Sequence, residues 1–204
     1  WGEVIDVLRE IIPVYDKVNS FISLGKDVEH RNRAIKGRVK KGDKILDIGC
    51  GYSANELATT ICDVQDLSKF YKDRNFIKLE KKQLPFDDNQ FDFVIANQVL
   101  EHVKELFWVN HEVFRVLKPG GFFFIGVPNG LACHNRFLGN FGFHPTCNKS
   151  ISAHVRIFSK DDVFLFYRFI GKNFCRIRGF YGSQFYPFPK SIARILSTIF
   201  PNLA

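Results

Sequence analysis

The sequence lacks any long apolar stretch. The apolar run at residues 122–125 extends only through Gly126 and Val127, whereas a membrane-spanning helix needs roughly 20 residues. The N-terminal part also shows no basic cluster followed by an apolar stretch and a small-residue cleavage site, so nothing in it predicts export. The default expectation is a cytoplasmic location.

The spacing of the cysteines suggests no pairing. The five cysteines are odd in number and irregularly placed in a chain long enough to fold without disulfides, so reduced thiols are expected. His134 and His144 lie between Cys133 and Cys147, but no Cys-x-x-Cys or His-x-x-x-His pair accompanies them. This pattern is typical of an ordinary loop, and no metal site is predicted.

Acidic residues become rare in the second half of the chain. Residues 1–100 hold 16 Lys/Arg and 16 Asp/Glu, whereas residues 101–204 hold 13 basic and 5 acidic side chains and therefore account for the whole net charge of +8. Such a half could attract an anionic substrate, a phosphorylated headgroup or a membrane face. A solvated basic surface around a Phe-rich core explains the same composition. No nucleic-acid-reading motif is recognisable, so nucleic acid is not an expected partner.

Apolar runs alternate with helical patterns along a chain of 204 residues, which suits one domain. Strands are predicted at 44–48, 60–64, 76–79, 91–96, 122–127 and 174–180, and helices at 4–12, 28–39, 54–58, 100–117, 160–170 and 190–200. Because the strands are nearly continuous in apolar residues, the pattern predicts an α/β fold with a mostly parallel sheet and helices on both faces. Residues 129–155, rich in Gly, Asn, His and Cys, are expected to form a long loop or partial lid.

A glycine-rich turn follows the first predicted strand. Gly49 and Gly51 would let the backbone approach a nucleotide-like ligand, and with Ala54 they also fit a dinucleotide fingerprint, so a nicotinamide-dependent oxidoreductase is an alternative. Asp47 argues against that alternative, because its charge would lie near a pyrophosphate but suits a cationic amino-acid group. Asp63, at the end of the second strand, could accept hydrogen bonds from both ribose hydroxyls. Its alternative role is to start a turn, and Asp66 is a nearby competitor.

Three segments carry a family resemblance: LDIGCG at 46–51, LPFDDNQFDFVIANQVLEHV at 84–103 and RVLKPGG at 115–121. In order and spacing they resemble the motifs of class I S-adenosylmethionine-dependent methyltransferases. The resemblance implies a Rossmann-like sheet, S-adenosylmethionine as cofactor and a core at 43–128, between an N-terminal helical cap at 1–42 and a lid and substrate-side region at 129–204.

The resemblance also implies cofactor-binding roles by position. The methionine part would be bordered by the turn after the first strand and by the residues after the fourth, the ribose by Asp63, and the adenine by Glu80 and the Lys81 backbone. The implied residues are Asp47, Gly49, Cys50, Gly51, Asp63, Glu80, Lys81, Asn97 and Gln98. Ser53 replaces the third glycine of the first motif, and the stretch from Gly51 to Asp63 is short. A non-catalytic S-adenosylmethionine-binding module therefore stays open.

The two ends of the chain point to different methyl acceptors. Residues 15–25, YDKVNSFISLG, are similar to ubiquinone and menaquinone biosynthesis methyltransferases, whereas PNGLACHNRFLGNFGFHP and AHVRIFSKDDV resemble methyltransferases of polysaccharide or lipid-linked sugar pathways. The acceptor is expected to be a small or lipid-linked molecule. The same likeness predicts a final antiparallel strand that is missing after residue 204, and Trp1 stands in place of a start Met, so a fragment is expected.

A sulfonium methyl is already activated, so the protein mainly has to hold the acceptor in line, which can supply roughly 7–11 kcal/mol. An acceptor that must lose a proton needs a base, and His102 is the first candidate because it follows the fourth strand. A histidine that only bonds to backbone is the alternative. His154 is the second candidate base, and Arg156 could bind an anionic acceptor.

Overall fold

The computed structural model describes residues 35, 37–80, 83–145, 154–171, 175–182, 188 and 190–204. Several predicted segments lie outside the described residues: the helix at 4–12, most of the helix at 28–39, the quinone-type segment at 15–25, and Lys81. The chain divides into two compact units, residues 1–126 and 127–204.

The first unit is built on a five-stranded parallel sheet, which confirms the predicted α/β fold. The strands are β1 (Ile45–Ile48), β2 (Thr60–Asp63), β3 (Phe76–Lys78), β4 (Phe91–Asn97) and β5 (Leu117–Gly126). Their order across the sheet is β3-β2-β1-β4-β5, and every neighbouring pair is parallel. β1 and β2 are buried at every position, as a strand covered on both faces must be.

Successive residues of a strand point to opposite faces, and each face of this sheet has its own apolar cluster. Ile45 and Phe93 belong to a cluster that also contains Ile35 and Leu67. Leu46 and Val94 belong to the other, where Val113 and Val116 pack. The near-continuous apolar character of the strands therefore follows from burial on both sides.

A helix lies between β4 and β5 and packs against the second cluster. This helix, α1, covers Leu106–Val116 and begins later than the predicted 100, because residues 100–105 form turns and other non-helical structure. β5 starts directly after it, five residues earlier than predicted, and its register with β4 slips between Phe91 and Phe93. A side chain at Gly121 would approach the backbone oxygen of Asp92 to 2.9 Å, so only glycine fits this irregularity.

The predicted helix at 54–58 is wrong, since residues 51–59 form turns and bends. Side chains from elsewhere in the unit form hydrogen bonds with the backbone groups there. The hydroxyl of Tyr71 accepts from Ala54 N, and Arg74 donates to the carbonyl oxygens of Asn55 and Ala58. These bonds satisfy the segment without a helical ladder.

The second unit contains α2 (Cys133–Gly139), α3 (Lys160–Ile170) and α4 (Lys190–Ile199). α3 has the predicted bounds and begins at a reciprocal capping box between Ser159 and Asp162. α2 lies within the stretch predicted as loop, and residues 175–182 form neither helix nor the predicted strand. Within the described parts of the chain, no helix is both long enough and apolar enough to cross a bilayer.

Candidate functional site

The strand order creates a crevice at one edge of the sheet. β1 pairs with β2 on one side and with β4 on the other. After β1 the chain continues to β2, whereas after β4 it continues to β5, so the two connections run in opposite directions across the sheet. In open α/β sheets, ligands bind at such a switch point, outside the carboxyl ends of the strands. The turn after β1 and the residues after β4 flank it here.

The turn after β1 depends on two glycines. Gly49 and Gly51 have φ angles of +62° and +50°, in the left-handed region that L side chains rarely adopt. A Cβ on Gly49 would also lie 2.7 Å from Cγ2 of Val99, which follows β4. Cys50 between them is buried, and its amide donates to the carbonyl oxygen of Cys62 at 3.1 Å. The turn therefore exposes little but backbone and sits close to the segment after β4.

Asp63 at the end of β2 contacts this turn directly. Its Oδ2 accepts a hydrogen bond from Gly51 N at 3.0 Å, and its Oδ1 accepts from Gln65 N at 2.9 Å. The carboxylate is buried, yet each oxygen retains a second lone pair. The glycine turn and the carboxylate thus meet, and the bond to Gln65 shows that Asp63 also starts a turn. Asp66 is exposed and bonded to Ser68 N and Oγ.

Asp47 lies beneath the turn within β1. Its buried Oδ2 accepts from Asn55 N at 2.7 Å and so fixes the far end of the glycine loop. Asn55 is itself fully buried, and its Nδ2 has no hydrogen-bond partner within the described residues. A buried amide donor of this kind is costly to leave unpaired, so it marks a place where a polar group of a ligand or a water would be accepted.

Tyr71 braces the same loop and was missed by sequence reasoning. Its hydroxyl donates to the carbonyl oxygen of Gly51 at 2.8 Å and accepts from Ala54 N at 3.0 Å. Burial raises the pKa of Tyr71 to about 12, so the hydroxyl keeps its proton at neutral pH. No motif in the sequence marks this residue.

On the other side of the crevice, Asn97 and Gln98 end β4. Gln98 has a φ of +57°, and its amide donates to the carbonyl oxygen of Gly126 at 2.7 Å. A Cβ on Gly126 would collide with the amide side chain of Asn97, so the glycine leaves room for that side chain. Both polar residues are half-buried beside the crevice.

Glu80 lies two residues after β3, toward the same edge of the sheet. Its carboxylate is exposed and pairs with Lys78 Nζ at 3.3 Å. The structure therefore does not enclose Glu80 with the turn residues, and Lys81 beside it lies outside the described residues.

The turn that follows β4 also carries a buried acid that sequence reasoning passed over. Glu101 is buried, and neither carboxylate oxygen has a hydrogen-bond partner within the described residues. Burial raises the pKa of Glu101 to about 8. Its Oε1 lies 3.9 Å from Nε2 of the half-buried His102, whose backbone amide donates to Val99 O. Both residues belong to the LEHV segment of the sequence, but only the burial of Glu101 in the structure marks it as a candidate functional residue.

The other candidate base lies in the second unit. His154 is buried there, and Arg156, two residues later, is half-buried. His134 is also in this unit, and burial lowers its pKa. Cys133 and Cys175 have free thiols, as do Cys50 and Cys62 in the first unit.

Comparison with known proteins shows which proteins this chain is similar to. Residues 46–125 match the family model described as a methyltransferase domain. A 2-phytyl-1,4-naphtoquinone methyltransferase of Nostoc punctiforme is 31% identical, with 58% of this chain and 61% of that protein covered. A demethylmenaquinone methyltransferase of Listeria welshimeri is 32% identical, with 56% and 58% covered. The chain thus spans about three fifths of the length of these curated relatives.

Solved structures show the same fold. A methyltransferase from Thermotoga maritima matches with a TM-score of 0.61 at 18% identity, over 78% of this chain and 77% of that one. One from Archaeoglobus fulgidus matches with a TM-score of 0.58 at 17% identity, over 93% and 92%. The Rossmann-like fold is therefore confirmed, and the match of residues 46–125 to a methyltransferase domain agrees with the resemblance seen in the sequence.

Proposed function

We propose that this protein binds S-adenosylmethionine at the carboxyl ends of β1 and β4 and transfers its methyl group to a small-molecule acceptor, with a quinone precursor as the leading candidate. The observation that carries the proposal is the 3.0 Å hydrogen bond from Gly51 N to Asp63 Oδ2. It joins the glycine turn and the ribose-type carboxylate at the switch point of the sheet.

The described residues fit this cofactor. The free lone pairs of Asp63 can accept from ribose hydroxyls, and the bare glycine backbone admits the ligand. Asn97 and Gln98 would flank the methionine part, while the Asp47 carboxylate and the Cys50 amide hold the turn through hydrogen bonds. The exposed Glu80, with the Lys81 backbone, would meet the adenine, and this assignment rests on motif position alone.

A nicotinamide cofactor fits less well. Its pyrophosphate carries two negative charges, which would lie near the buried carboxylate of Asp47, and like charges at close range in a buried site are strongly unfavourable. The cationic sulfonium and amino groups of S-adenosylmethionine reverse the sign of that interaction. The match of residues 46–125 to a methyltransferase domain supports the same choice.

The bound cofactor supplies an already activated methyl group, so the chain has to position the acceptor, exclude water and take up a proton where the acceptor releases one. His102 is our first candidate for the proton acceptor. Glu101 beside it is largely protonated at pH 7, since burial raises its pKa to about 8. It can therefore donate a hydrogen bond toward an acceptor oxygen or toward His102. His154 is the second candidate base, and Arg156 is a candidate for holding an anionic acceptor.

The quinone methyltransferase relatives favour a quinone precursor. A saccharide or lipid-linked intermediate remains the other acceptor class, because AHVRIFSKDDV in the second unit resembles a different set of methyltransferases. We assign cofactor binding to residues 43–128 and acceptor selection to 129–204, with 1–42 as a cap, in keeping with the division of the chain after Gly126. The free thiols support the cytoplasm as the location, and a lipid-linked acceptor would bring peripheral membrane contact.

Calorimetric titration with S-adenosylmethionine tests the proposal. Asp63→Ala should weaken binding at least about tenfold, since it removes a charge-assisted contact worth ~1.5–3 kcal/mol. The matched control is Asp66→Ala, which removes an exposed carboxylate hydrogen-bonded to Ser68 and should bind as the wild type does. No binding by a folded chain, tighter binding of a nicotinamide nucleotide, or equal effects of the two variants would each contradict the proposal.

Turnover is tested separately with a demethylated menaquinone precursor and methyl-labelled cofactor. Label in the quinone supports the leading acceptor. Cofactor binding without transfer to quinone or saccharide acceptors would favour a non-catalytic binding module, the alternative that Ser53 and the missing helix at 54–58 keep open.

A further inference from the structure

The C-terminal helix α4 presents its large aliphatic side chains outward. Ile192, Ile195 and Ile199 are 46%, 60% and 60% exposed, whereas Ala193 and Ser197 are 9% and 6% exposed. Positions three and four apart share one face of a helix, so the three isoleucines form a stripe over about two turns. The small and polar residues face the protein, which is the reverse of an ordinary surface helix.

The stripe continues past the end of the helix. Phe200, whose amide donates to Leu196 O, is 50% exposed. Single apolar side chains at a surface are common and mean little. Four large ones in one continuous stripe form an apolar patch, and such patches mark sites that contact another molecule or a membrane. We call Ile192, Ile195, Ile199 and Phe200 the α4 stripe.

Charge identifies what the stripe would meet. Residues 127–204 contain ten Lys/Arg and two Asp/Glu, whereas residues 1–126 contain 19 of each, so the whole net charge lies in the second unit. From residue 163 onward there are six basic residues and no acidic one, and Lys190 and Arg194 belong to α4 itself. A basic segment that exposes an apolar stripe complements an anionic lipid surface. A second copy of the chain would bring the same positive charge to the contact and be repelled.

We propose that α4 docks the second unit onto an anionic lipid bilayer, with the α4 stripe entering the boundary between headgroups and acyl chains. Ten residues of helix span about 15 Å, which suits a helix lying in the interface and not one crossing the bilayer. This extends the proposed function by naming the surface at which a lipid-soluble acceptor would be met. It rests on exposure and charge, not on cofactor binding.

Vesicle sedimentation with the full chain tests the proposal. We expect binding to mixed phosphatidylcholine and phosphatidylglycerol vesicles, little binding to pure phosphatidylcholine, and a loss of binding as salt is raised. Ile195→Ser should weaken binding at least about tenfold, because a buried aliphatic side chain is lost from the contact. Leu165→Ser is the matched control, since Leu165 is 70% exposed on α3 and should not matter. Equal thermal midpoints would show that both variants are folded.

Three results would overturn the proposal: equal binding to both kinds of vesicle or to neither, no effect of Ile195→Ser, or an equal effect of Leu165→Ser. A dimer in analytical ultracentrifugation that Ile195→Ser dissociates would also overturn it and assign the stripe to self-association. Cofactor calorimetry on the same samples separates the two proposals. If the protein binds vesicles but not the cofactor, only the proposal of methyl transfer is contradicted. If it binds the cofactor but not vesicles, only the proposal of α4 docking is contradicted.

Discussion

The hydroxyl of Tyr71 joins two backbone groups of the turn after β1, because it donates to the carbonyl oxygen of Gly51 and accepts from Ala54 N. Tyr71 lies 20 residues from Gly51 along the chain. Its hydroxyl satisfies backbone groups in and next to residues 54–58, which do not form the predicted helix. The conformation of the turn therefore depends on a side chain that belongs to no recognised motif.

Replacing Tyr71 by Phe removes both hydrogen bonds and keeps the ring in place. Because two partly buried backbone groups lose their partner, we expect the free energy of unfolding to fall by about 1–3 kcal/mol, with weaker S-adenosylmethionine binding. Urea unfolding and calorimetry measure the two effects. Tyr52→Phe is the control, since Tyr52 is exposed and packs edge-on against Phe70. Unchanged stability in Tyr71→Phe would argue against the bracing role.

Gly126→Ala tests the contact between the ends of β4 and β5. The added Cβ would meet the side chain of Asn97, so either Asn97 moves or the strand shifts. We expect a loss of about 1–3 kcal/mol in stability, with a further loss of cofactor affinity through Asn97. Gly37→Ala is the control, because a Cβ added there would have no atom within 4 Å. Thermal and chemical unfolding of both variants measure the change in stability.

Glu101 should make stability depend on pH. Its folded pKa of about 8 lies above the usual carboxyl value, so between those values the folded state holds a proton that the unfolded state has lost. Stability should therefore fall as pH rises toward 8, and Glu101→Gln should flatten that slope. Urea unfolding at a series of pH values measures it, with exposed Glu105→Gln as control. His102 Nε2 lies 3.9 Å from Glu101 Oε1 and can also take up a proton. His102→Gln therefore shows how much of the pH dependence of stability comes from His102.

Arg115 and Glu112 form a close ion pair beneath the second motif. Arg115 Nη2 lies 2.8 Å from Glu112 Oε2, which also accepts from Leu84 N at 2.9 Å. The guanidinium holds the pKa of Glu112 below its usual value. The stability that this bond adds is present above the unfolded pKa and is lost as pH falls through the lower, folded one.

Arg115→Met should therefore destabilise the fold by about 3–5 kcal/mol, because it leaves a buried carboxylate without its cation. The part of the acid-induced loss of stability that comes from Glu112 should then disappear, because Arg115 no longer holds the pKa of Glu112 below its unfolded value; urea unfolding at a series of pH values measures this. Arg136→Met is the control, since Arg136 is exposed and its Nε donates to the backbone oxygen of Leu131. A small effect equal to that of the control would contradict the prediction.

The five strands of the sheet were predictable because their burial leaves nearly unbroken apolar runs, as at Ile45–Ile48. The bounds of α3 were predictable because Ser159 and Asp162 supply a local cap. The turn at 51–59 was not, since Tyr71 and Arg74 act on it from 16 to 20 residues away. The predicted helix began at residue 100, but residues 100–105 form turns and other non-helical structure before α1. The sequence pattern did not show this later start. Sequence spacing likewise could not show that Glu101 is buried.

The loop around Gly51 is held by three side chains, Asp47, Asp63 and Tyr71, through hydrogen bonds within the chain itself. A binding loop that is already ordered loses little conformational entropy when its ligand arrives, so more of the contact energy remains as affinity. Amide hydrogen exchange at Gly51 and Asn55 should accordingly be slow before cofactor is added and change little afterwards.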